Sequence, residues 1–327
     1  MAKGGAVRGS VSLVTGAAGF IGSHLTARLV ARGDDVHVAL RPGSNRARLL
    51  SVMERVTVHE LDLADRSAVR AAIRAACPNR VFHLGAETRL SDQPAFDTAR
   101  KALPLYVEPA FNLVEELAAL PDPPFIVIRA GTIAEYGQAE TPYRETGQPL
   151  PLTPYGAGML AATHGLSMLA PILPFPVITA RLALCYGPGQ SRSFFVPALV
   201  DALLSRRSIT VARPEDRRDL MHVTDAVEGL LRLADFAPAD CELVNLATGM
   251  APTMREVAER VIAQIGCPAS LVSFRTLPPG DVPTRLLSSP DRANRRFGWR
   301  ARIGLEDGLR ATIEAEQAAR ELLGHLP

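Results

Sequence analysis

Seven short runs of aliphatic and β-branched residues recur along the chain, at 11–15, 36–40, 56–58, 81–84, 125–128, 177–182 and 243–246. Most are nearly unbroken in apolar residues, the pattern of strands covered on both faces. Between them the apolar spacing becomes helical. Ile21, Leu25 and Leu29 fall every four residues, and Val107, Ala110, Phe111, Val114, Leu117 and Ala118 mark another stripe. Strand and helix in alternation predict an α/β fold built on a doubly wound parallel sheet with right-handed crossovers.

After about residue 185 the rhythm changes. Turn residues cluster in Tyr186-Gly187-Pro188-Gly189-Gln190. Thr253 and Glu256 have the spacing of a capping box, and Met254, Val257, Val261 and Ile265 follow as one helical face ended by Gly266. A turn-rich stretch over 277–290 precedes a last helix from about Leu305. The expected division is a first domain over 1–183, with a returning segment near 220–250, and a smaller substrate-binding lobe over most of 184–327.

Composition narrows the class. Apolar residues make up 47% of 327, enough for a sizeable core. No stretch reaches the roughly 18–20 unbroken apolar residues of a membrane span. The first ten residues hold no apolar signal segment, so a cytoplasmic location is expected. Cys77, Cys185, Cys241 and Cys267 are widely spaced and match no metal pattern. Net charge is +2 with both signs interspersed, which argues against a nucleic-acid partner.

The first candidate site follows the first strand. Val14-Thr15-Gly16-Ala17-Ala18-Gly19-Phe20-Ile21-Gly22 sits at a strand-to-helix junction. Gly16 suits a tight turn, Gly19 lets backbone N–H groups approach a pyrophosphate, and Gly22 permits close helix–strand packing. Ala18, Phe20 and Ile21 complete the loop. A dinucleotide-binding Rossmann sheet is the expected context.

The spacing Gly-x-x-Gly-x-x-Gly closely resembles the glycine motif of the extended short-chain dehydrogenases/reductases, the family of NAD-dependent epimerases and dehydratases. The resemblance covers almost the full chain. Asp62-Leu63 looks like the adenine-contacting pair. His83-Leu84-Gly85-Ala86 resembles the end of the fourth strand. Thr132 with Tyr136-Gly137, Pro154-Tyr155-Gly156-Ala157, Tyr186-Gly187-Pro188-Gly189 and Arg218-Asp219-Leu220 match further signatures. The resemblance implies a nicotinamide dinucleotide, and a homodimer through the helices after the fourth and fifth strands.

The second strand ends in Leu40-Arg41, where an NAD site has a carboxylate for the ribose hydroxyls. Leu40 leaves no acid to repel a 2′-phosphate, and the Arg41 guanidinium can pair with one. NADP(H) is the expected cofactor, with Arg46 and Arg48 close by in sequence.

The family's catalytic set is a Ser/Thr, a Tyr and a Lys. The resemblance places the first two at Thr132 and Tyr155. Four residues beyond Tyr155, where the lysine belongs, stands Met159. A thioether carries no charge and donates no hydrogen bond. An ordinary phenol is about 0.1% ionised at pH 7, so a tyrosine without a cation serves as an acid more readily than as a base. Reduction tolerates the change better than an epimerisation that begins with oxidation.

Glu87, Thr88 and Arg89 are expected at the substrate rim, together with Leu184 and Tyr186. Leu184 replaces a family asparagine, and Pro278 stands where the family has an arginine. These departures favour an apolar ligand. The leading expectation is therefore an NADPH-dependent ketoreductase acting on an apolar, aromatic or polyketide-type small-molecule ketone. A nucleotide-sugar epimerase, dehydratase or 4-ketoreductase is the alternative, and a non-catalytic NADP-binding regulator the second.

Overall fold

The computed structural model describes residues 10–87, 95–236 and 242–324. In chain order the first strands and helices are β1 (Val11–Thr15), α1 (Phe20–Ala31), β2 (Asp35–Leu40), β3 (Val56–Glu60), α2 (Arg66–Ala76), β4 (Arg80–His83), α3 (Phe96–Ala118), β5 (Ile126–Thr132), α4 (Pro154–Leu169) and β6 (Val177–Leu182). Then come β7 (Leu184–Tyr186), α5 (Phe195–Leu204), β8 (Ile209–Val211), β9 (Arg217–Arg218), β10 (Leu220–His222), α6 (Val223–Phe236) and β11 (Glu242–Leu246). The chain finishes with α7 (Met254–Ile265), β12 (Val272–Phe274), β13 (Arg285–Leu286), α8 (Asp291–Phe297) and α9 (Leu305–Gly324).

Seven strands form one sheet in the order β11-β6-β5-β4-β1-β2-β3. They are the seven apolar runs of the sequence. The strand order reverses at β1, which pairs in parallel with both β2 and β4. Such a switch point leaves a crevice beyond the strand C-termini, where open α/β sheets bind ligands.

Contacts group the described residues of 1–135, 151–180 and 233–243 into one unit and those of 136–150, 181–232 and 244–327 into another. The first unit's core joins Leu13, Val81 and Val127 of the strands to Ile73, Leu113, Leu117 and Leu166 of the helices. The second unit packs Val196, Leu199 and Leu203 of α5 against Val257 and Val261 of α7 and Leu309 of α9. Three parallel two-stranded pairs, β10–β7, β12–β8 and β13–β9, belong to it.

Local signals explain several boundaries. Asp65 caps α2 by accepting from the Ser67 and Ala68 amides. Thr253 and Glu256 form the reciprocal capping box, and Gly266 ends α7 at φ +68°. The sequence predicts that Pro109 kinks or delays a helix around 107–118. Instead α3 starts at Phe96 and carries Pro104 and Pro109 in its interior. Each proline removes one helical N–H donor, and burial of Tyr106, Ala110, Leu113 and Leu117 offsets the loss.

Helix α4 lies close against α3. A Cβ on Gly158 would stand 2.4 Å from Tyr106 Cδ2, so no larger residue fits without displacing that ring. Among the described residues no helix is long and apolar enough to cross a membrane, and no group of three or more His, Cys, Asp or Glu could hold a metal ion.

Candidate functional site

The glycine loop has the geometry its spacing predicts. Gly16 sits at φ +69°, and a Cβ there would fall 2.6 Å from the Leu84 carbonyl oxygen. A Cβ on Gly22 would come within 2.2 Å of the Gly16 oxygen. Both contacts are with backbone, so glycine is required at each. Gly19 is the N-cap of α1 and supplies no side-chain cap to the first-turn amides. These amides, with the helix dipole behind them, could hold a phosphate group. Ala18, Phe20 and Ile21 are half-buried around it.

The ends of β2 and β4 flank this loop in sequence register. Leu40 is buried, whereas Arg41 is exposed and stands 3.6 Å from Glu87. Arg48 donates to the Ala18 carbonyl at 3.4 Å, bringing a second guanidinium to the glycine loop. Arg46 instead pairs with Glu60. Leu63 lies beside Gly85, whose Cβ would meet Leu63 Cδ1 at 3.3 Å, and Asp62 caps the following turn through the Ala64 amide. Leu84, Gly85 and Ala86 are half-buried. Thr88 and Arg89 lie outside the described residues.

The β4 end is held by a polar chain. Thr15 Oγ1 accepts from the Gly85 amide at 3.2 Å and lies 2.8 Å from His83 Nδ1. His83 is buried. Burial, reinforced by the Arg129 charge, pushes its pKa down to about 3, so the ring is neutral near pH 7. A neutral Nδ1 accepting from Thr15 puts the ring proton on Nε2.

Thr132 ends β5, and Tyr155 occupies the first turn of α4. Thr153 caps that turn by accepting from the Gly156 amide at 3.0 Å. A Cβ on Gly156 would fall 2.5 Å from the Ala134 carbonyl oxygen, so the backbone next to Tyr155 touches the turn just after Thr132. Both side chains are half-buried. The Tyr155 ring meets the Tyr106 ring edge-on, with centroids 5.7 Å apart. Burial, aided by Tyr155 and Glu87, raises the Tyr106 pKa, and its hydroxyl donates to the Glu87 carbonyl at 2.5 Å.

Behind this pair lies a network that sequence reasoning missed. Met159 is buried, and Arg129, also buried, donates to its carbonyl at 3.0 Å. The same guanidinium donates to Thr163 Oγ1 at 2.9 Å. The Thr163 hydroxyl lies 2.9 Å from Glu135 Oε2, and Glu135 Oε1 accepts from the Thr132 amide at 3.1 Å. A buried arginine and a buried glutamate thus tie the end of β5 to the second turn of α4. The available signal was a charged residue inside an apolar run, Ile128-Arg129-Ala130, with an acid six residues later.

The second unit holds its own cavity, of about 380 Å³. Leu184, Tyr186, Phe194, Phe195, Val211 and Met254 give it an apolar wall. Tyr186 itself is almost fully buried. Arg213, Asp216 and Arg218 also line it. Burial alone would raise the Asp216 carboxyl. Hydrogen bonds from Arg213 and Thr284, together with the Arg218 charge, hold it below the ordinary carboxylate range.

Comparison with known proteins places the chain. The family model described as GDP-mannose 4,6 dehydratase matches residues 13–312. The chain belongs to the NAD-dependent epimerase/dehydratase family of extended short-chain dehydrogenases/reductases. It is 30% identical over 335 residues to the dTDP-glucose 4,6-dehydratase of an Actinoplanes species, covering 94% of this chain and 98% of that one. It is 28% identical over 313 residues to the UDP-glucose 4-epimerase of Mycolicibacterium smegmatis, covering 93% and 97%. Among solved structures, the Thermus thermophilus UDP-glucose 4-epimerase complexed with NAD is 28% identical, with a TM-score of 0.79 over 94% of this chain and 99% of that one.

These relatives correct the expectation of an apolar or polyketide-type ketone as substrate, because they are named for nucleotide sugars. The apolar residues that prompted the expectation are present in the cavity. They do not discriminate, since an aromatic wall receives a nucleobase as readily as an aromatic ketone. The same cavity is also lined by two guanidinium groups, Arg213 and Arg218, for which an apolar ketone carries no charged partner.

Proposed function

We propose that this member of the family is a nucleotide-sugar oxidoreductase that binds a nicotinamide dinucleotide, prefers NADP(H), and works in the direction of carbonyl reduction. The observation that carries this reading is the retention of Thr132 and Tyr155 beside a buried Met159. The likeness to nucleotide-sugar epimerases and dehydratases supplies the substrate class.

The first unit is assigned to the dinucleotide and the second to the sugar nucleotide. The glycine loop and the α1 amides would hold the pyrophosphate, and Asp62 and Leu63 the adenine. Arg41 and Arg48 would hold the adenine ribose end of the cofactor, where their charges would favour a 2′-phosphate. When bound, the nicotinamide supplies the hydride. Tyr155 donates a proton to the carbonyl oxygen, and Thr132 Oγ1 hydrogen-bonds the same oxygen and holds it in line. A neutral phenol already carries the proton that reduction consumes. Oxidation would first need a phenolate, and Met159 offers no cation to stabilise one. Glu87, Thr88 and Arg89 of the first unit, and Leu184 and Tyr186 of the second, are assigned to substrate binding.

The test offers the protein NADPH with nucleoside-diphosphate 4-keto-6-deoxysugars and, separately, UDP-glucose. Consumption of NADPH by the keto sugars is expected. Interconversion of UDP-glucose and UDP-galactose without net NADPH loss would overturn the reductive direction. Inertness towards every nucleotide sugar would overturn the substrate class.

A further inference from the structure

We propose that Glu135 is a positioning residue for the reduction, one that aims the Thr132 hydroxyl as a hydrogen-bond donor and fixes that aim relative to the helix carrying Tyr155. The inference rests on the reductive reading above and concerns a residue that touches neither substrate nor cofactor in it.

Thr132 and Glu135 close a capping box around one short turn. Thr132 Oγ1 accepts from the Ala134 amide at 3.2 Å, and Glu135 Oε1 accepts from the Thr132 amide at 3.1 Å. A hydroxyl has one proton and two lone pairs. The Ala134 N–H occupies one lone pair, so the proton is directed away from that amide. A carbonyl oxygen offers lone pairs only, and a hydroxyl held in this way meets it as a donor. The same turn touches the backbone beside Tyr155. A Cβ on Gly156 would fall 2.5 Å from the Ala134 carbonyl oxygen. Ala134 thus holds the Thr132 hydroxyl with its N–H and abuts the start of α4 with its C=O.

The second carboxyl oxygen reaches α4 directly. Glu135 Oε2 accepts from the Thr163 hydroxyl at 2.9 Å. Thr163 lies about two turns beyond Tyr155 on the same helix. Arg129 donates to Thr163 Oγ1 at 2.9 Å and to the Met159 carbonyl at 3.0 Å. The Thr163 hydroxyl therefore accepts from the arginine and gives its proton to the glutamate.

Glu135, Arg129 and Thr163 are 0%, 2% and 4% exposed. Capping a turn needs no buried acid, since an exposed polar side chain does the same. Burying a carboxyl group and a guanidinium is costly unless both are well bonded. Here the bonds run to the two pieces of backbone that bear Thr132 and Tyr155. Met159 adds only its carbonyl to this frame. The spacing of the two reacting hydroxyls is set by Glu135 through Thr132 on one side and Thr163 on the other.

Steady-state reduction of a nucleoside-diphosphate 4-keto-6-deoxysugar by NADPH, measured on the full chain, tests this. Glu135→Gln and Thr163→Val should each lower kcat about 10–100-fold, the scale of a small misplacement of reacting groups. KM and NADPH affinity should stay within about twofold, because neither residue binds a ligand. Thr163→Ser keeps the hydroxyl and should keep wild-type kcat. Glu135→Gln added to Thr132→Val should cost less than about twofold more, since the hydroxyl it aims is already gone. If Glu135→Gln fails to fold, Thr163→Val in the Thr132→Val background gives the same reading. Wild-type kcat in both single variants overturns the proposal. So does an undiminished further loss in the Thr132→Val background, which would make Glu135 a support of the fold alone. In either case the reductive reading stands. If wild type reduces no keto sugar, that reading falls and the proposal with it.

Discussion

The Arg129 guanidinium donates to the Met159 carbonyl oxygen at 3.0 Å and stands 3.7 Å from the same residue's sulfur. A permanent cation is therefore packed against the position where the family has its lysine. A thioether tolerates that neighbour because sulfur accepts weakly and carries no charge. An ammonium group would not.

Met159→Lys should consequently destabilise the protein by about 3 kcal/mol, the scale of an unpaired charge placed in a core. The double variant Met159→Lys with Arg129→Met should recover most of that loss, because only one cation then remains near Glu135 and Thr163. Urea unfolding of the two variants and wild type measures the coupling. Equal losses in single and double variants would show that the two positions do not interact.

Tyr155→Phe removes the proposed proton donor without changing the ring that packs on Tyr106. Turnover with a keto sugar should fall about 10²–10⁴-fold, while NADPH affinity stays within about twofold. Single-turnover kinetics with cofactor fluorescence separate the two. Near-normal turnover would assign the proton to another group or to water.

Arg41→Ala and Arg48→Ala each address the 2′-phosphate. Each should weaken NADPH by about tenfold, or 1.4 kcal/mol, and leave NADH nearly unchanged. Titration of both cofactors reads the ratio. Parallel weakening of NADH would locate these arginines at the shared pyrophosphate instead.

His83 makes stability depend on pH. Its folded pKa, depressed to about 3 by burial and by Arg129, lies below the ordinary value of 6.5. Between these values the unfolded chain binds a proton that the folded chain refuses. Stability from this group is thus complete above about pH 6.5 and is lost as pH falls towards 3, at about 1.4 kcal/mol per pH unit. His83→Asn should flatten the fall in urea midpoint between pH 6 and 4 relative to wild type, a window set by the cited shift. Identical slopes would show that other groups govern acid unfolding.

The seven sheet strands were legible because each is an apolar run bounded by turn or helix signals, and the glycine loop because Gly16 and Gly22 meet backbone that no side chain could approach. Strand β5 was read too short. The apolar run stops at Ile128, but pairing with β4 takes in Arg129, and the strand continues to Thr132. A charged residue ends a hydrophobic pattern without ending a strand when a buried partner network receives it. The grouping of residues 136–150 with the second unit was likewise hidden. It depends on pairings distant in sequence, such as the Tyr136 hydroxyl with Asn245 at 2.8 Å and the Arg181 guanidinium over the Tyr136 ring at 4.2 Å. The charged lining of the second cavity escaped for a different reason. Arg213, Asp216 and Asp281 lie in loops without periodicity, so only their assembly in space shows that they act together.

The buried guanidinium beneath α4 also constrains the history open to this chain. Methionine and lysine are one base change apart in the genetic code, so the usual catalytic residue is always a single mutation away. With Arg129 in place that step leads downhill in folding, and selection would discard it before any gain in catalysis could be felt. Position 129 must change first for position 159 to become free. If Met159→Lys destabilises the fold as expected, Arg129 ties position 159 to methionine.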